Sequence, residues 1–175
     1  MYFAFLRAIN VGGHTVKMDY LKSLIESCGF SGVETFIASG NVVFDYPFAD
    51  IQKITQTIES CLKEKLGYQV ATFVRTAEDS STIVNYQPFS DSGEANIYIA
   101  FLSASQNAQV RDKLYANNST DNQFHIQDRE VYWLCRTRFS DSIFSGAQLE
   151  KTLGMPATIR NRTTLHKMVN KYILP

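Results

Sequence analysis

The sequence predicts an α+β protein: two ferredoxin-like (βαββαβ) pseudo-repeats packed together, antiparallel sheets with helices. Three observations predict it. Apolar runs of strand length alternate with amphipathic stripes of helical period, and the order βαββαβ occurs over residues 1–75 and again after residue 95. The segment 87–94, with Pro88 and Gly93, is the one convincing linker, so residues 1–86 and 95–175 read as two halves. Apolar residues make up 45% of the chain, charged residues 19%, and there are twelve Phe and nine Tyr. That composition fits a folded chain with a large aromatic core and excludes disorder.

The elements follow in order. Residues 2–9 are an apolar, aromatic run, the first strand. Gly12-Gly13 break it. A helix from Met18 carries Leu21, Leu24, Ile25 and Cys28 at i, i+3, i+4, i+7, and Gly29 closes it. Val33–Ser39 and Val42–Asp45 are strands joined by a tight turn at Gly40-Asn41. A long helix over about 49–66 carries Ile51, Ile54, Ile58, Cys61 and Leu62, with Gly67 at its end. Gln69–Arg75 is the fourth strand, and Thr76 caps a short helix to about Tyr86. In the second half Asn96–Leu102 is a strand and 105–117 a helix. Gln123–Gln127 and Glu130–Cys135 form a hairpin turning at Asp128-Arg129. Ser145 to Gln148 is a capping-box pattern opening a helix that ends at Gly154. Ala157–Arg160 is a short strand, and Asn161 caps a last helix with Leu165, Met168, Val169 and Tyr172 inward.

Net charge is zero, but unevenly placed. Residues 1–135 hold ten basic and fifteen acidic residues, whereas residues 136–175 hold seven and two. The two regions either neutralise each other within the fold or present one positive face to an anion. Cys28, Cys61 and Cys135 are widely spaced and odd in number, which reads as reduced thiols in a cytoplasmic protein. The apolar start, Tyr2 to Leu6, is too short for a signal peptide or a membrane span, and no membrane association is expected.

In a ferredoxin-like sheet of strand order 4-1-3-2, the end of strand one lies beside the start of strand three. Arg7 to Gly13 should therefore meet Ser39 to Asn41, with Gln69 near the same edge. The residue types there suit a small anionic ligand, such as a phosphorylated one. Gly12 and Gly13 can turn backbone N–H groups towards it, and they lead to a helix N-terminus. Arg7 and Lys17 supply charge; Asn10, Ser39, Gly40 and Asn41 supply hydrogen bonds and turn geometry. Asp19, in the first turn, competes for the same N–H groups. Turn formation alone explains the same residues about as well. A second cluster sets Arg160, Asn161 and Arg162 at the start of the last helix, with His166 and Lys167 one turn on. Arg160 and Asn161 are the members expected to join the ligand site.

Taken together, the motifs Leu6 to Gly13, Met18 with Leu21, and Ser39 to Phe44 resemble the domain of unknown function 1697 family. So do Val74-Arg75-Thr76, Asn85 with Pro88-Phe89, Leu149 to Gly154, and Ala157 to Asn161. The resemblance spans nearly the whole chain and implies an α+β fold of ferredoxin-like units, with no established activity. The chain departs from it at Ala8 (usually Gly), Ala38 (Gln or Asn), Ile159 (Thr) and Arg162 (Trp).

Other chemistries find less in the sequence. His14, His125 and His166 lack metal-ligand spacing. Ser39 has no nucleophile elbow, and Asp128 with Glu130 flanks a hairpin tip rather than forming an acid/base pair. No general base, cofactor or oligomeric state is legible, so whether the protein is an enzyme stays open. Nucleic acid is the rival partner, through an RRM-like sheet or the basic C-terminal segment: RRM domains share the βαββαβ order, and Phe3, Phe5 and Phe44 could line a stacking face. A structural or protein-interaction module without ligand is the third reading.

Overall fold

The computed structural model describes residues 1–10, 13, 15–37, 40–90, 93 and 95–173. It forms two compact units, Met1–Ser81 and Thr82–Pro175. The first contains β1 (Tyr2–Leu6), α1 (Met18–Ser27), β2 (Ser31–Phe36), β3 (Asn41–Asp45), α2 (Ile51–Leu66) and β4 (Thr72–Thr76). The boundary falls inside α3 (Ala77–Asn85), five residues short of Tyr86. The second unit continues with β5 (Asn96–Phe101), α4 (Ala108–Tyr115), β6 (Asn122–Gln127), β7 (Glu130–Cys135), α5 (Gly146–Leu153), β8 (Thr158–Asn161) and α6 (Arg162–Ile173). The sheets are antiparallel with orders β2-β3-β1-β4 and β6-β7-β5-β8. Each unit is thus the expected βαββαβ pattern with 4-1-3-2 strand order.

In the first unit Tyr2, Ala4 and Leu6 share a core with Leu21, Leu24 and Ile25 of α1 and Ile54, Ile58 and Leu62 of α2. The 3.6-residue period of the two helices delivers those side chains to one face of the sheet. Phe3 and Phe5 point to the other face and are 0% and 2% exposed. Burial on both faces is why β1 reads as an unbroken apolar run rather than an alternating one. In the second unit Ala100, Val131, Trp133, Leu114, Leu149 and Leu153 make the corresponding core. Trp133 donates its indole N–H to the buried Asn122 side chain at 2.8 Å.

Helix ends follow from capping. Asp50 accepts from the Lys53 N–H, and Gly67, in the left-handed region, closes α2. Thr76 and Asp79 cap α3 reciprocally. Ser145 and Gln148 form the expected capping box of α5. Asn107 accepts from the Val110 N–H, which shortens the helix expected over 105–117 to begin at Ala108.

Three expectations are corrected. The β2–β3 connection is not a tight turn at Gly40-Asn41: Asn41 is the first residue of β3, paired with Phe5, and its side chain donates to the Phe36 carbonyl at 3.1 Å. Phe44 does not share a face with Phe3 and Phe5. It lies opposite Tyr2, in the core beneath the helices. Cys28 and Cys61 are not separate thiols, for α1 and α2 bring them together as a disulfide with Cα atoms 6.2 Å apart, within the ordinary range for such a bond. The cysteines therefore no longer argue for a reducing compartment. No helix among the described residues is long and apolar enough to cross a membrane.

Candidate functional site

Three strand ends converge in the first unit. The Leu6 N–H donates to the Gly40 carbonyl at 2.8 Å, and the Arg7 N–H donates to the Ala71 carbonyl at 2.8 Å. The register sets Phe5 opposite Asn41 and Leu6 opposite Thr72. The Arg7 segment, the β2–β3 turn and the start of β4 thus share one edge.

The motif residues divide into two groups there. Asn10, Gly40 and Asn41 hold the shape. Asn10 Oδ1 accepts from the Val16 N–H at 2.6 Å, tying the start of the long loop to its end beside α1. Gly40 has φ +74°, and a Cβ there would lie 2.7 Å from Ile9 Cγ2 and 3.2 Å from Leu6 Cβ. Only glycine satisfies both the backbone and the space. Asn41 is fully buried. The Tyr68 hydroxyl adds a bond to the Ile9 carbonyl at 3.3 Å, and burial pushes its pKa up.

The second group faces outward. Gly13 is exposed, at φ +87°. Lys17 is exposed and occupies the N-cap position of α1, yet it makes no side-chain hydrogen bond to the helix. Arg7 is half-buried. Gly12 and Ser39 lie outside the described residues.

Two residues outside the expected ligand set add backbone strain. Ala8 has φ +56° and Ile37 has φ +51°, both exposed. For non-glycine residues this left-handed conformation costs about 1–2 kcal/mol each, and it is rarest for a β-branched side chain. Such strain gathers at ligand clamps and switch segments. Ala8 did have a signal: it stands where the resembled family has glycine, the residue a positive φ prefers.

Arg160 and Asn161 belong to the second unit. Arg160 lies on β8 opposite Ile99 and donates to Thr158 Oγ1 at 2.8 Å and the Ile159 carbonyl at 3.0 Å. Burial lowers its pKa to about 10. Asn161 Oδ1 accepts from the Thr163 N–H at 2.8 Å, a cap for α6. Both have local structural work to do.

The remaining chemistries can be placed. Phe3, Phe5 and Phe44 lack the exposure that base stacking needs. Among the described residues no three His, Cys, Asp or Glu side chains are grouped to hold a metal.

Residues 1–132 match the family described as "Protein of unknown function (DUF1697)". The chain belongs to this family. A solved structure, described as that of the conserved bacterial protein SP0830 from Streptococcus pneumoniae, aligns with a TM-score of 0.76 at 22% identity, covering 97% of this chain and 96% of that one. At that identity the likeness establishes the shared fold. No curated protein matches the sequence. Asn10, Gly40 and Asn41 have clear folding roles in this chain, Gly13 has the positive φ that glycine adopts most readily, and Lys17 is exposed.

Proposed function

We propose that this DUF1697 protein binds a small anionic, phosphorylated ligand at the edge formed by Arg7–Gly13 and Ser39–Asn41. The observation that carries the reading is the start of α1. Its N-cap residue is the exposed cation Lys17, whose ammonium cannot accept from the helix N–H groups, and Asp19 is the acidic residue of its first turn. Helix N–H groups and the backbone dipole favour an anion there, and Lys17 adds charge. Asn10 brings this helix end to the strand edge through Val16, and Arg7 leaves β1 at the same edge. The strained Ala8 and Ile37 flank the place where the ligand would sit. Gly12 and Ser39 complete the proposed set.

A thermal-shift screen against nucleotides, sugar phosphates and anionic cofactors tests this reading. A stabilising anion whose effect disappears in Arg7→Ala and Lys17→Ala is expected. If no anion stabilises the protein, or the shift survives both substitutions, the site is wrong.

A module without ligand is the second reading, and the internal bonds of Asn10, Gly40 and Asn41 favour it. It predicts that Arg7→Ala lowers stability and changes nothing else.

A further inference from the structure

The second unit contains an open recess of about 350 Å³ beside the first turns of α6. This is at the small end of the range for small-molecule sites, about 300–1,000 Å³. Arg162 and His166 line it, and Gln87, Asn96 and Thr163 add amide and hydroxyl groups. Arg162 and His166 are four residues apart on α6 and so share a helix face. Arg162 Nε donates to the Val84 carbonyl at 2.8 Å, so α3 fixes the guanidinium through main chain rather than through a carboxylate. None of the described lining residues carries a negative charge.

We propose that this recess binds a phosphomonoester, with the phosphate held by Arg162 and His166 and the organic part by Gln87, Asn96 and Thr163. A guanidinium fixed at one edge still presents donors in the planar fork that matches phosphate oxygens. An imidazole one turn away supplies a further donor when it takes up a proton. The amides and hydroxyl suit the hydroxyl groups of a small polyol. Burial and the neighbouring Arg162 hold the His166 pKa below its ordinary value, while a bond to the Val84 backbone opposes them. Gln87, Asn96 and Thr163, the other polar residues that line the recess, are uncharged. An arriving dianion would reverse the effect of Arg162 and draw a proton onto the ring. This site is independent of the one proposed in the first unit.

The experiment is an NMR pH titration of the imidazole signals of the intact protein. It is run with chloride alone, with inorganic phosphate, and with glycerol 3-phosphate, all at matched ionic strength. The His166 pKa is expected to rise saturably with both phosphates, with tighter binding of the ester. The His125 pKa is expected to stay fixed, and Arg7→Ala to leave the response unchanged. Arg162→Gln is expected to weaken binding about tenfold or more, the usual cost of a lost charge-assisted bond. The wild-type titration decides the matter even if that variant does not fold. The proposal is overturned if neither phosphate moves His166, if His125 moves equally, or if the ester binds more weakly than inorganic phosphate.

Discussion

The two units make the same junction with different materials. In each, the residue that ends or follows the first strand donates its N–H to the hairpin turn: Leu6 to Gly40 at 2.8 Å, and Leu102 to Arg129 at 2.9 Å. In the second unit the chain then reaches α4 directly through residues 102–107, and Asn107 caps the helix. The turn residue Arg129 is half-buried, and Ser105 bonds the exposed Asp128 carboxylate at 2.6 Å. In the first unit residues 7–17 make a longer detour, an exposed lysine stands at the N-cap, and a glycine is wedged against Leu6 and Ile9. The junction itself needs neither the long loop nor the glycine. The two junctions therefore differ in the length of the loop and in the residue that fills the turn, Gly40 in one and Asp128-Arg129 in the other.

Gly40→Ala should break the contrast most sharply. Its Cβ would meet Ile9 while the backbone stays left-handed, so a loss of about 3 kcal/mol is expected in urea unfolding, against under about 0.5 kcal/mol for Arg129→Ala. Asn10→Ala leaves the Val16 N–H without its acceptor and should cost about 1–2 kcal/mol, compared with about 1 kcal/mol for the cap-removing Asn107→Ala. Ala8→Gly should act in the opposite direction, stabilising by up to about 1 kcal/mol as it relieves the left-handed strain. If the strain serves a ligand, that variant also binds it less well.

The smallest effect concerns pH. Burial lowers the pKa values of His125 and His166 below 6.5, with Arg111 and Arg162 respectively assisting. The unfolded chain then binds more protons than the folded one as pH falls below about 6.5, so stability declines from pH 7 towards 5. His125→Gln and His166→Gln should each flatten that decline. Both histidines lie in the second unit, so unfolding monitored through Trp133, also of that unit, is the suitable signal.

Helical period made α1 and α2 legible in the sequence, and Thr76 and Ser145, which cap through neighbours three residues away, marked the starts of α3 and α5. Strand order followed from element order. The β2–β3 turn was misplaced because Asn41 has turn chemistry but is held in the strand by Phe5 and by its bond to Phe36. The proximity of Cys28 to Cys61 depends on how α1 and α2 pack, which spacing along the chain does not reveal. At the candidate site, the meeting of the end of β1 with Gly40 was legible from topology. The division of its residues into those that hold the loop and those that face outward was not, because it rests on individual hydrogen bonds such as Asn10 to Val16.

The most direct test of the anion site is an amide chemical-shift titration of the whole protein with the anion that stabilises it most. The account predicts saturable shifts at Ala8 to Asn10 and Lys17 to Asp19, with the corresponding junction of the second unit, Ser103 to Ser105 and Asp128-Arg129, unmoved. Shifts of equal size at both junctions, or none at the first, would contradict it.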